Sequence, residues 1–196
     1  MLIRTHVGVS LDGLVTSADG LPAWDWSPSF HSDGAPQGYP EFMANVGGVI
    51  IGRTSFEQGL PLWRGAWPWG DRPIRVISNR PLGDDVPETV KRASSPSDAV
   101  EQMKAAGVTQ DVQLLGGPKA IASFMQAGLL DELGIVVLPI LLGEGIPLFP
   151  AQPVSFSPDA WQASPKDIAG RSARSLKLKS QKTFDDGAVW MVYAAK

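Results

Sequence analysis

Three short stretches of this chain carry residues suited to holding an anion. Gly116-Gly117-Pro118-Lys119-Ala120 follows the apolar run at residues 112–115 and leads into Ile121-Ala122-Ser123-Phe124. Two glycines at a strand end let bare backbone approach a ligand, and a proline at the first helical position opens a helix whose free N–H groups and dipole favour phosphate. Gly52-Arg53-Thr54 leaves the apolar run at residues 48–52. It places a permanent cation and a hydroxyl where open α/β sheets bind ligands. Ser78-Asn79-Arg80 repeats the arrangement after residues 74–78. Each stretch also has a plainer reading: a tight strand-to-helix turn, a surface arginine beside a capping threonine, a polar strand end. Three strand ends carrying Gly, hydroxyl and Arg together are what a phosphate-rich ligand needs. The pattern is not G-x-G-x-x-G, so a Rossmann domain is not supported.

Other residues leave their chemistry open. Asp12, in Ser10-Leu11-Asp12-Gly13, orients a substrate, relays a proton, or is the aspartate of an ordinary Asp-Gly turn. Trp24, Trp26, Trp63, Trp67 and Trp69 sit in two loops; they line a pocket for a flat heterocycle, plug the loops onto the core, or form a dimer contact. His6 reads as structural and His31 as a solvated loop residue. Asp131-Glu132 reads as a solvated turn before a strand.

The elements that must position these groups alternate between strand and helix. Residues 2–9 read as a strand, 16–39 as a long loop and 40–45 as a short helix. Residues 48–52 are apolar enough for a strand covered on both faces, and 53–55 open a helical turn that Gly59 and Pro61 end. Strands follow at 74–78 and weakly at 90–93. Ser97 caps a helix to Ala106, with Gly107 as its C-cap. The 112–138 unit reads as strand, helix and strand. A loop spans residues 143–169, with Phe149 and Trp161 its apolar marks. The chain closes with segments 173–182 and 188–195 joined at Asp185-Asp186-Gly187, a hairpin signal. The expectation is one α/β domain over residues 1–196, its sheet mostly parallel with an antiparallel C-terminal hairpin.

Composition narrows the function classes. Of 196 residues, 17 are Lys or Arg and 20 are Asp or Glu, a net charge of −3 that gives no basic footprint for nucleic acid or anionic lipid. There is no cysteine and there are two isolated histidines, so no metal site is expected. Residues 133–142 are too few to span a bilayer, and the first residues lack a signal-peptide pattern. A soluble cytoplasmic protein is the expectation.

Five segments in order resemble the dihydrofolate reductase superfamily: SLDG at 10–13, DGLPAWDW at 19–26, VIIGRTSFE at 49–57, VISNRPL at 76–82, and LLGGPKAIASFMQAGLLDELGIVVLPILLGEGIPLF at 114–149. Within it, the chain is similar to the branch of the riboflavin-biosynthesis reductase domain. The resemblance implies a three-layer α/β/α fold and NADPH bound along the carboxyl edge of the sheet. Gly52, Arg53 and Thr54 would hold the adenosine side, with Arg53 near the 2′-phosphate. Ser78, Asn79 and Arg80 would take the adenine ribose phosphate, and Gly116, Gly117, Pro118, Lys119 and Ala120 the pyrophosphate. Gly8, Val9 and Val15 would flank the nicotinamide; Asp12 and Trp26 would face a small-molecule substrate, with Asp12 as the catalytic candidate. A cis peptide between Gly116 and Gly117 and a homodimer are implied too. The function implied is hydride transfer from NADPH to a C=N or C=O of a small heterocyclic or ribosyl-type substrate. Authentic dihydrofolate reductase and an NADP-binding protein without turnover are the alternatives. The pteridine-gripping carboxylate of dihydrofolate reductases has no clean equivalent, since neither Asp33 nor Glu41 falls at the matching distance before Gly52.

Overall fold

The computed structural model describes residues 1–26, 37–63, 65–83, 85–150 and 175–195. His31, Asp33, Trp161 and the first residues of the 173–182 segment lie outside them.

The strands are β1 (Ile3–Arg4), β2 (Val7–Val9), β3 (Leu14–Ser17), β4 (Val46–Gly52), β5 (Ile74–Ile77), β6 (Val90–Ala93), β7 (Asp111–Gly116), β8 (Glu132–Val137), β9 (Gly145–Pro147), β10 (Lys177–Thr183) and β11 (Val189–Ala194). The helices are α1 (Tyr39–Met43), α2 (Arg53–Trp63), α3 (Pro96–Ala105) and α4 (Pro118–Gln126), and a 3-10 turn covers Ala23–Trp26. The main sheet runs β10-β11-β8-β1-β7-β4-β5-β6, with β2 continuing alongside β8. Pairings from β8 to β6 are parallel, while β11 is antiparallel to both β8 and β10.

Alternation along β4 shows how the layers form. Ile50 packs into the cluster built by Ala99 and Met103 of α3 and Ile121 and Phe124 of α4. Its neighbours Val49 and Ile51 face the other way, onto Phe56 of α2, Trp69, Ile74 and Val76. A third cluster sets Phe42 of α1 against Val136, Trp190 and Val192. With side chains alternating across a strand, both faces of the sheet are covered and the expected α/β/α layers result.

Several local expectations need correction. Residues 2–9 form two strands, broken where Thr5 Oγ1 accepts from Gly134 N and donates to Gly134 O. α2 runs on through Gly59 and Pro61 to Trp63; the indole of Trp63 fills the space beside Gly59 so closely that a Cβ there would lie 2.2 Å from it. The cap of α3 is Ser95, not Ser97, its hydroxyl accepting from Asp98 N at 3.1 Å. The stretch read as a loop at 143–169 contains β9, and the loop read at 16–39 begins inside β3; the two strands pair antiparallel as a small second sheet. Asp131-Glu132 is no solvated turn: Asp131 accepts from Ile3 N at 2.8 Å, and buried Glu132 binds Arg4 Nε at 2.6 Å and Lys179 Nζ. Among the described residues, no helix is long and apolar enough to cross a membrane.

Candidate functional site

Register brings the three anion-suited stretches to one edge. Gly52 pairs with Ile77, Ile51 with Gly116 and Ile77 with Ala93, so β4, β5, β6 and β7 end level. The residues just beyond those ends therefore form a single rim. Its backbone packing is close: a Cβ on Gly52 would meet Ala120 Cβ and Gly116 O at 3.3 Å, and one on Gly117 would meet Ser55 Oγ at 2.8 Å.

Gly116 has φ +126°, and a Cβ there would point into open space. The Gly116-Gly117 peptide is cis, as the resemblance implies. In the first turn of α4, Pro118 has no N–H, while Ala120 N and Ile121 N turn back onto Gly117 O. An anion at this helix end would meet the backbone of Lys119 and its exposed ammonium.

Arg53 ties two strand ends together. Its Nη1 donates to Ser78 Oγ at 2.9 Å, Arg80 O at 3.1 Å and Pro81 O at 2.9 Å, while Nε pairs with Glu57 at 2.7 Å. Buried Ser78 in turn accepts from Arg80 N and donates to Arg80 O, closing a tight turn. Arg92, on β6, donates Nη1 to Ser78 O at 3.1 Å. Sequence reading passed over Arg92 because its strand is weak and exposed; only the parallel pairing of β5 with β6 brings it to the rim. Thr54, Asn79 and Arg80 are exposed beside this cluster. A cleft of about 250 Å³ flanks the same loop, lined by Phe56, Leu60, Leu82 and Val86 with Glu57 and Asp85.

At the end of β2, Ser10 Oγ accepts from Leu14 N at 3.0 Å, and Gly13 takes φ +81° to turn the chain into β3. Asp12 is exposed. Its carboxylate accepts from Gly143 N at 2.8 Å and Leu142 N at 3.2 Å, pinning the segment after β8. Hydrogen bonding from Ser10 first, then from Gly143, lowers its pKa to about 2.

The tryptophans divide. Trp63, Trp67 and Trp69 meet edge to face, at 4.6 and 5.2 Å between centroids, and plug their loop onto the α2 side of the core. Trp24 instead lies against Gly8 and stacks on His6, 5.6 Å between centroids with planes 7° apart. Trp26 is half exposed. Val9 is buried on the opposite face and Val15, on β3, packs near it. His6 is structural: its ring is wrapped by Trp24, Tyr39, Phe42 and Trp190, and Nε2 lies 2.9 Å from Gln37 O. Burial drives its pKa down to about 4, so it is neutral near pH 7.

A second cleft, of about 470 Å³, lies between α1 and the hairpin, with Arg4, Glu41, Glu132, Lys179, Lys182 and Trp190 on its walls. Its charges are mutually paired, Lys182 with Glu41 at 2.6 Å and Arg4 and Lys179 with Glu132.

The model of the RibD C-terminal domain family matches residues 2–189. The uncharacterized protein YwjB of Bacillus subtilis (strain 168) is 30% identical over 147 residues, covering 74% of this chain and 80% of its own. A protein of Shewanella sp. PV-4 named for riboflavin biosynthesis has a crystal structure that superposes with a TM-score of 0.74 at 23% identity, over 99% of this chain and 98% of that one. The diaminohydroxyphosphoribosylaminopyrimidine deaminase/5-amino-6-(5-phosphoribosylamino)uracil reductase of Thermotoga maritima gives 0.67 at 13% identity; 98% of this chain matches 56% of that longer one. With dihydrofolate-reductase-like layers in place and a match running through nearly its whole length, this chain belongs to the RibD C-terminal domain family.

Proposed function

We propose that the protein is an NADPH-dependent reductase that passes a hydride to a C=N or C=O of a small heterocyclic or ribosyl-type substrate. The observation that carries this is the common rim. Three phosphate-suited strand ends lie level on one sheet, two of them joined by Arg53 to Ser78. An extended dinucleotide needs such a row of anchors, where a single phosphate would need one. The family membership and the reductase named among its structural relatives support the reading.

The residues present fit the cofactor. Gly116 leaves its Cβ side open to a close-approaching pyrophosphate, and Lys119 stands exposed at the helix start. Arg53 and Arg92 bring their guanidinium groups to the Ser78 turn, where a ribose phosphate would lie, and Arg80 is exposed in the same turn. Gly8, Val9 and Val15 would then flank the nicotinamide, and Trp26 would face the substrate. NADPH, when bound, supplies the hydride. The chain's part is to hold donor and acceptor in contact and to exclude water. Asp12 is proposed as a positioning residue: its carboxylate fixes Leu142 and Gly143 beside the end of β2. Its pKa, lowered to about 2 by hydrogen bonding, keeps it a carboxylate near neutrality, which suits this positioning role, and solvent is the proposed proton source.

The authentic dihydrofolate reductase reading loses ground here, because Glu41 is paired with Lys182 at the surface. The exposed Leu141, Ile146 and Phe149 support the expected homodimer, which sedimentation would check. The deciding experiment follows NADPH absorbance with dihydrofolate, a ribosylaminopyrimidine and simple carbonyl compounds. Oxidation with one of them supports the reductase; cofactor binding without oxidation of any supports a binding protein; no binding removes both.

A further inference from the structure

We propose that Glu57 sets how strongly the site prefers a cofactor carrying a ribose 2′-phosphate, by holding a nitrogen of Arg53 that the phosphate would otherwise take. The inference rests on the proposed place of that phosphate at the turn joining Arg53 and Ser78.

Most of the Arg53 guanidinium is engaged within the chain. Its Nε donates to Glu57 Oε1 at 2.7 Å, and its Nη1 is committed to Ser78 Oγ, Arg80 O and Pro81 O. Among the described residues, Nη2 has no hydrogen-bond partner. An arginine clasps a phosphate with two parallel bonds along one of two edges, Nε with Nη2 or Nη1 with Nη2. Each edge of Arg53 has one nitrogen taken. A phosphate there meets Nη2 alone while Glu57 stays in place.

The pair is not placed to stabilise its helix. Arg53 is the first residue of α2 and Glu57 lies one turn on. A cation at a helix N-terminus opposes the dipole, and the favoured order sets the carboxylate before its cation. Nor does Arg53 need Glu57 to stay in position, because three oxygens already fix Nη1. Of the rim cations Arg53, Arg80, Arg92 and Lys119, Arg53 is the one with a carboxylate in ion-pair reach among the described residues. Asp98, on α3, gives its oxygens to Ser94 and Gln102 instead.

Two effects of Glu57 act in the same direction. It closes the Nε edge, and its charge opposes a phosphate bound to the same guanidinium. A cofactor without the 2′-phosphate presents a hydroxyl there and meets neither effect. The Glu57 side chain is half exposed, so salt screens the repulsion, whereas it does not reopen the edge. Arg53 thus raises the ratio of NADPH to NADH affinity, and Glu57 lowers it.

The test measures NADPH and NADH dissociation constants by cofactor fluorescence in wild type, Glu57→Gln and Glu57→Ala at low and high salt, with folding followed by thermal melting. Glu57→Gln removes the charge and keeps an oxygen for Nε. Its NADPH to NADH affinity ratio is expected to rise about threefold at low salt and by less at high salt. Glu57→Ala also frees the edge, and its ratio is expected to rise about tenfold. In an Arg53→Ala background the same change should raise the ratio by less than about threefold. An unchanged ratio, equal changes for both cofactors, or weaker NADPH binding overturns the inference and makes Glu57 a support for Arg53. A rise no larger in Glu57→Ala than in Glu57→Gln, or undiminished without Arg53, overturns the route through Nε. If Glu57→Ala does not fold, the ratio in Glu57→Gln decides. Absence of NADPH binding to wild type overturns the cofactor reading and this inference with it; NADPH binding with an unaltered ratio in the variants overturns this inference alone.

Discussion

Arg53 and Ser78, 25 residues apart, are joined by a 2.9 Å hydrogen bond from guanidinium Nη1 to the buried hydroxyl. The bond converts two separate strand ends into one cationic turn, since the same nitrogen also binds Arg80 O and Pro81 O. Arg53→Ala is expected to weaken NADPH binding tenfold or more, and NADH binding by much less, because charge-assisted bonds to a phosphate are among the stronger ones. Arg53→Lys should not restore it, an ammonium being unable to span the three oxygens. Titration of cofactor fluorescence checks both.

His6 makes stability depend on pH in a defined window. Its folded pKa is about 4 against an unfolded 6.5, so between those values the unfolded chain binds the proton and the folded one does not. Stability therefore falls as pH drops from about 6.5 to about 4, by up to on the order of 3 kcal/mol. Denaturant midpoints of wild type and His6→Phe across pH 4 to 7 should diverge, the variant losing this slope.

Gly8→Ala is expected to destabilise the fold by about 1–3 kcal/mol, because its methyl meets the Trp24 ring. The double change with Trp24→Ala should recover part of that loss. A double-mutant cycle on thermal stability measures the coupling, and additive effects would contradict the contact.

Glu132→Ala should cost about 1–3 kcal/mol, since it takes from the partly buried Arg4 one of its two carboxylates, while the half-exposed Lys179 loses little. Glu132→Gln should cost less. Arg4 keeps Asp111, whose carboxyl stays below the usual range despite burial because Leu2 N, Asn45 and Arg4 all donate to it. Urea unfolding of the variants is the measurement.

Asp12→Ala should lower turnover more than Asp12→Asn, whose amide oxygen still accepts one of the two N–H bonds from residues 142 and 143. Because Asp12 is ionised well below neutrality, the pH–rate profile between 5 and 8 should keep its shape in Asp12→Asn. A lost alkaline limb would instead make Asp12 a proton donor.

The layered architecture was legible because β4 and β8 at its heart are dense apolar runs and because Gly107 and Pro118 punctuate α3 and α4. The rim was legible for the same reason: strand ends in a parallel sheet fall on one edge, so Gly52, Ser78 and Gly116 had to meet. What escaped notice depends on partners distant in sequence. β3 and β9 are short and acquire strand character only by pairing with each other. Glu132 resembles a surface residue until Arg4, 128 positions away, is folded against it. The close approach of Trp24 to Gly8 left no trace in the composition of either segment.

β1 has two residues, yet it lies in the middle of the sheet, Ile3 and Arg4 pairing with Val112 and Gln113 on one side and Arg4 with Glu132 on the other. β1 is thus a wedge between two strands that follow it by more than a hundred residues. The sheet cannot close until residues through about 137 have left the ribosome, and until then β7 and β8 have no common neighbour. Such distant pairing makes for slow folding. It also means that removing residues 1–4 would divide the sheet down its centre, with the rim at Gly52, Ser78 and Gly116 on one side and the hairpin on the other.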